Sequence, residues 1–172
     1  MTRLNLHLLG SPEIQLNDQP VALKERKALA LLVYLTVTAE PHQREALATL
    51  FWPEYDQKRG RSHLRRILWV LKQTLGKGWL ISDGDDVRLN QSADIWMDAT
   101  ELKALMAHNR APSSAHSLDQ LEQIVARYRG DFLSGFTLPD CPAFDEWHFF
   151  EAETMRQIVL TAWDELVPQS AP

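Results

Sequence analysis

Residues 57–82 constrain this chain more than any other stretch. Leu64, Ile67, Leu68, Leu71 and Leu75 stand at i, i+3, i+4, i+7 and i+11, the spacing of one apolar stripe on an α-helix. The same stretch carries seven Lys or Arg and no acidic residue. At about 100° per residue, Lys58, Arg61, Arg65, Arg66 and Lys72 fall off the stripe, with Ser62, Trp69 and Gln73 among them. A helix that buries one side and concentrates positive charge on the other suits a polyanion. The alternative is a solvated basic face that binds nothing. Gly76 is a plausible stop for this helix.

Whole-chain charge alone would hide this feature. The 172 residues have a formal net charge of −5, which argues against nucleic acid. Yet residues 1–90 hold 13 basic against 10 acidic residues, and residues 91–172 hold 5 against 13. The local stripe, not the average, is the electrostatic footprint that matters for DNA.

The elements on either side give the stripe a context. Leu4, Leu6 and Leu8 alternate with polar residues, and Ile14 and Leu16 repeat the pattern. Asn17-Asp18 supplies a turn, and Val21 and Leu23 resume, so a small antiparallel sheet is expected over 3–23. Ala28, Leu31, Leu32 and Leu35 mark a helix over 24–38. Pro41 is expected to open a short helix with Leu47, Leu50 and Phe51 inward, and Pro53 to end it. After the basic helix, 79–81 and 87–89 read as two strands joined across Ser82, Asp83, Gly84, Asp85 and Asp86. Sheet, three helices and hairpin is the order of a winged helix, with the basic helix as its reader and the hairpin as its wing.

Beyond residue 90 the chain turns helical and acidic. Asp98 to Glu101 and Ser117 to Gln120 have the form of capping boxes, with a polar loop over 109–116 between the two helices. Leu121, Ile124, Val125 and Tyr128 continue the second. Gly130 to Gly135 is a turn-rich connector. A last helix beginning near Pro142 points Phe144, Trp147, Met155, Ile158, Val159, Ala162 and Leu166 toward a core. The tail from Val167 reads as a linker.

Competing chemistry has little support. The single cysteine, Cys141, excludes an internal disulfide and leaves too few thiolates for a structural zinc site. With Asp145 and His148 it suggests a thiol nucleophile, but neighbouring acids would raise its pKa. Asp83, Asp85 and Asp86 lack the distal Glu of a calcium loop. His108 and His116 lack a third ligand, and His63, at the edge of the basic helix, is expected to be a surface histidine sooner than a phosphate contact. Trp147, Phe149 and Phe150 fit a core better than a cofactor box. No glycine-rich phosphate loop is present, and no cofactor is expected. The alternating N-terminus is not that of a signal peptide, and the longest apolar run, 28–35, is too short for a membrane span. A reduced cytoplasmic setting and no membrane partner are expected.

Five stretches in order carry a family resemblance: residues 8–14 (LLGSPEI), 44–53 (REALATLFWP), 61–72 (RSHLRRILWVLK), 129–136 (RGDFLSGF) and 139–147 (PDCPAFDEW). Together the chain resembles the SARP-type bacterial transcriptional activators over nearly its whole length. The resemblance implies an α+β OmpR-like winged helix, about 1–92, followed by an all-α tetratricopeptide-like bacterial transcriptional activator domain, about 93–172. That second domain is longer in the family, so a part of a longer regulator is expected.

By position, the resemblance assigns Arg61, Ser62, Arg65, Arg66 and Trp69 to the recognition helix, where they are expected to read bases, with Trp69 equally suited to stacking on the helical domain. Lys58, Arg59, Lys72 and Arg88 are expected to hold phosphates. Trp52, Pro53, Glu54, Tyr55, Asp56 and Gln57 match the loop that faces RNA polymerase. The implied partners are double-stranded DNA with direct repeats near promoters, RNA polymerase, and a second copy of the chain on DNA. The rival reading is a protein-interaction module whose winged helix no longer binds DNA. A hydrolase built on Cys141 or an acidic pair is a weaker third.

Overall fold

A computed structural model describes residues 2–107 and 118–167. The expected loop over 109–116, the pair His108 and His116, the start of the Ser117 capping box and the tail from Pro168 lie outside the described residues. Six helices and seven strands are found among the described residues.

The strands form two small sheets. The first runs in the order β3-β2-β1-β7, with β1 Arg3–His7, β2 Glu13–Leu16, β3 Gln19–Val21 and β7 Asp94–Met97. Strands β2 and β3 pair Leu16 with Gln19, leaving Asn17 and Asp18 as a two-residue turn with φ of 51° and 62°. Two left-handed residues in succession match the twist of a hairpin, and Asn and Asp tolerate that conformation. The sheet expected over 3–23 is therefore present, joined by a fourth strand the sequence did not reveal. Strand β7 lies far in sequence from its partner β1, so no local hairpin signal marks it.

The second sheet, β4-β6-β5, pairs β4 His42–Gln43, β6 Asp86–Leu89 and β5 Leu80–Asp83. Asp83 lies opposite Asp86, so Gly84 and Asp85 form the turn. Gly84 has φ of 57°, which a side chain would resist. Pro41 does not open a helix, as the sequence suggested. His42 instead pairs with Val87 in β6, and its Nε2 lies 2.7 Å from Thr38 Oγ1. A two-residue strand has no periodicity to read.

Helices α1 Arg26–Thr38, α2 Arg44–Phe51 and α3 Gln57–Leu75 follow the expected apolar spacing. Helix α1 stops at Ala39, which takes the left-handed conformation and donates its N–H to Leu35 O at 3.1 Å. Asp56 caps α3 by accepting from Arg59 N at 2.9 Å, and Gly76 ends it with φ of 96°. Both α1 and α2 pack on α3. The α2–α3 approach is close because Gly60 has no side chain: a Cβ there would stand 3.2 Å from Ala48 Cβ.

The chain forms two compact units that interleave. The first takes residues as far as Leu4, Ile14–Ile95 and Thr137–Glu146; the second takes Asn5–Glu13, Trp96–Phe136 and the chain from Trp147 on. The chain passes between units at 95/96, and the two exchanged segments, 5–13 and 137–146, leave no trace in composition.

The second unit contains α4 Asp98–Ala107, α5 Leu118–Arg127 and most of α6 Pro142–Leu166. Leu102, Leu121, Ile124, Phe132, Met155, Val159 and Ala162 are buried. Its organising group is Asp98, only 4% exposed. Rather than closing a capping box, its carboxylate accepts from Leu8 N at 2.8 Å and Leu9 N at 3.0 Å, and from its neighbour Ala99 N. Segment 130–135 is not a mere connector. Leu9 bridges Phe132, Gly10 N donates to Asp131 O, and Leu133 N donates to Leu8 O at 2.8 Å. Gly10 and Gly130 meet so closely that a Cβ on Gly130 would reach Gly10 Cα at 3.3 Å.

Candidate nucleic-acid interface

Within the first unit, α2, α3 and the β5–β6 hairpin have the winged-helix arrangement. The core side of α3 buries Gly60, Leu64, Ile67, Leu68, Leu71 and Leu75, which includes all five stripe residues. Opposite that side, Lys58, Arg61, Ser62, Arg65, Arg66 and Trp69 are exposed, and Lys72 is half-buried. At about 100° per residue, Lys58, Arg61, Arg65, Trp69 and Lys72 share one flank. Arg59 and Arg66 lie toward the other. The buried stripe holds the helix in place while its charged flank stays in water.

The exposed cations are not equivalent. Arg66 donates from both terminal nitrogens to the Glu25 carboxylate at 2.7 and 2.8 Å. Arg61 reaches Asp85 in the hairpin turn at 2.5 Å. Among the described residues Lys58, Arg59, Arg65, Lys72 and Arg88 have no ion-pair partner. Exposed ion pairs are worth about 0–1 kcal/mol, so Glu25 and Asp85 bias Arg61 and Arg66 without locking them. Trp69 is 60% exposed and projects from the same flank as Arg65.

Arg88 sits in β6 between buried Val87 and Leu89 and is itself exposed. Strand alternation aims it away from the core, opposite Ile81 in the register.

The expected polymerase loop divides. Pro53, Glu54, Tyr55, Asp56 and Gln57 are exposed, but Trp52 is only 4% exposed. Its ring stacks on His63 at 5.9 Å between centroids, and the Lys27 ammonium lies 5.2 Å from its centroid. Trp52 is a packing residue, not part of a contact surface. His63 is likewise no free surface histidine: it is half-buried, with Tyr55 on it at 4.8 Å. Asp56 is engaged as the α3 cap, and Gln57 Nε2 donates to Thr49 Oγ1.

The nucleophile reading of Cys141 does not assemble. Its thiol is buried and donates to Phe51 O at 3.1 Å. Burial pushes its pKa up to about 11, with the neighbouring Asp140 adding to the rise and Lys27 opposing it. Asp145 accepts from Leu138 N at 2.9 Å, and His148 Nε2 lies 2.7 Å from Phe132 O. Among the described residues no three His, Cys, Asp or Glu side chains gather as a metal site, and no helix is long and apolar enough to cross a membrane.

Two aromatic residues of α6 depart from the expected core. Phe149 and Phe150 are 61% and 60% exposed, and Leu160 and Trp163 are exposed as well. Phe149, Leu160 and Trp163 fall on one face of α6 by helical spacing. The sequence cannot separate an apolar core face from an apolar outer one. It also missed Glu25 and Arg44, whose roles depend on residues about 40 positions away.

No protein-family model matches the chain, and no curated protein matches it. Among solved structures, Mycobacterium tuberculosis EmbR in complex with a low-affinity phosphopeptide is similar in fold, with a TM-score of 0.73 and 18% identity. The similarity covers 97% of this chain and 46% of that one, so this chain spans about half the length of its structural neighbour.

Proposed function

We propose that the chain is the DNA-binding portion of a SARP-type transcriptional activator, acting by binding and not by catalysis. Helix α3 docks in the major groove of double-stranded DNA. Lys58, Arg59, Lys72 and Arg88 neutralise phosphates, and Ser62, Arg65 and, once released from Glu25, Arg66 read base edges. Arginine suits the second task because its planar fork matches the two acceptors of guanine. Pro53, Glu54, Tyr55, Asp56 and Gln57 form the surface for RNA polymerase. The second unit is tetratricopeptide-like, and its acidic surface keeps it off DNA. Tandem copies occupy direct repeats near promoters in the bacterial cytoplasm.

The observation that carries this reading is the exposed flank of α3, where Lys58, Arg65 and Lys72 remain unpaired on a helix whose other side is buried. The shared fold with EmbR supports it at the level of architecture. Selection of bound duplexes from a randomised pool, followed by sequencing, tests it. A repeated short motif is expected for the wild type, with one position blurred in Arg65→Ala. Retention of no duplex even at low salt would refute it.

The exposed Phe149, Phe150, Leu160 and Trp163 favour a second reading, a module that uses α6 to bind a protein. It predicts partner binding that is insensitive to salt and lost when Trp163 and Phe149 become polar.

A further inference from the structure

Three arginines from two helices converge beside the hairpin turn. Arg44, Arg61, Arg65 and Gly84 line an open concavity of about 430 Å³ in the first unit. Arg44 is the first residue of α2. Its Nε donates to Gly84 O at 3.2 Å, and a terminal nitrogen donates to Ser82 Oγ. Its backbone N–H donates to Asp85 O at 2.8 Å. The guanidinium is thus held against the wing with donors left over. Arg61 and Arg65, one turn apart on α3, line the same concavity.

Folding alone gives little reason for this grouping. Three guanidinium groups repel one another, and the carboxylate paired within the group is that of Asp85, on Arg61. A concave site with excess positive charge and fixed planar donors matches a phosphoryl oxyanion, which guanidinium binds in bidentate fashion. Its place between α3 and the wing selects the source of that group.

We propose that Arg44 and Arg61 clamp one backbone phosphate of the duplex between the recognition helix and the wing, with Arg65 at the rim of the same concavity reading the adjacent base, and that Asp85 competes with this phosphate for Arg61. The proposal rests on the DNA-binding reading and modifies it. Arg61 becomes a phosphate ligand, and Arg44 joins the interface.

The test uses the full chain and a selected duplex, with affinity followed against salt. Arg44→Ala should weaken selected and scrambled duplexes by the same factor and reduce the log–log salt slope by about one. Asp85→Asn should raise affinity for both duplexes a few-fold. Because Arg44 also anchors the hairpin, a scan of single neutral methylphosphonates along the duplex supplies an independent readout. One position should lower wild-type affinity and have a clearly smaller effect on Arg44→Ala. Wild-type binding with an unchanged Arg44→Ala slope, or with no such position, overturns the clamp and leaves the DNA reading standing. A wild type that binds no duplex overturns both. If inorganic phosphate then still shifts the Arg44 Nε–H resonance, the site takes a free anion, not DNA.

Discussion

The Arg66 guanidinium holds the Glu25 carboxylate through both terminal nitrogens, at 2.7 and 2.8 Å, across 41 residues of sequence. Glu25 immediately precedes α1, so a residue outside the basic helix governs whether one of its arginines is available. The pair is largely solvated, with side-chain exposures of 56% and 36%, and solvent screening limits its contribution to stability.

Glu25→Gln should therefore barely move the unfolding midpoint while freeing Arg66. Affinity for the selected duplex should rise a few-fold, with little change on scrambled DNA or in the salt slope. In the Arg66→Ala background the same change should do nothing. Anisotropy titrations at three salt concentrations read both effects. Equal effects in the two backgrounds would show that Glu25 acts by its general charge and not through Arg66.

Asp98 is a structural residue of the second unit. Asp98→Ala leaves the buried Leu8 and Leu9 N–H groups without their acceptor, at about 1–3 kcal/mol for each unsatisfied group. Denaturant unfolding should report a loss of about 2–6 kcal/mol on that basis. Asp98→Asn retains one acceptor oxygen and should lose less. A loss below about 1 kcal/mol for Asp98→Ala would contradict this role.

Tyr128, Asp131 and Arg156 make the second unit sensitive to pH at both extremes. Tyr128 OH donates to Asp131 Oδ1 at 2.5 Å, and Arg156 donates to Asp131 Oδ2 at 2.9 Å. Burial, and then the Asp131 hydrogen bond, push Tyr128 up to about 12 from 10.0. The neutral phenol is thus favoured in the folded state. Its contribution is complete below about pH 10 and fades toward pH 12. Arg156, and then Tyr128, hold the Asp131 carboxyl below its usual value, so that contribution is complete above the ordinary carboxylate range and lost in acid. Melting curves of Tyr128→Phe should fall less steeply than wild type between pH 10 and 12. Those of Asp131→Asn should fall less steeply in acid. Tyr34, raised by its own burial, is untouched by either change and serves as the common background. Parallel wild-type and Tyr128→Phe curves at high pH would contradict the linkage.

Legibility followed the range of the interaction. The α3 stripe, the helix-ending Gly76 and the two hairpin turns were readable because each depends on residues within one or two turns of chain. Strands His42–Gln43 and Asp94–Met97 were not, because their identity comes from distant partners. The same holds for Asp98, whose spacing from Glu101 suggested a local cap while its carboxylate serves Leu8 and Leu9. At the interface, periodicity placed Arg65 and Lys72 off the core. It gave no hint that Arg66 and Arg61 are paired, that Trp52 is buried, or that Arg44 lies beside the wing. A helical wheel identifies the exposed face, but not what reaches that face from another element.

The most direct test of the central claim is the salt dependence of duplex binding by the wild-type chain. Phosphate contacts from Lys58, Arg59, Lys72 and Arg88, with or without the arginine clamp, predict a log–log slope between about −3 and −5. Lys72→Ala should reduce the slope by about one on every sequence. Arg65→Ala should instead cost about 1–3 kcal/mol on the selected duplex and little on a scrambled one. A flat salt response, or equal losses on both duplexes for Arg65→Ala, would contradict the account of α3 as a recognition helix.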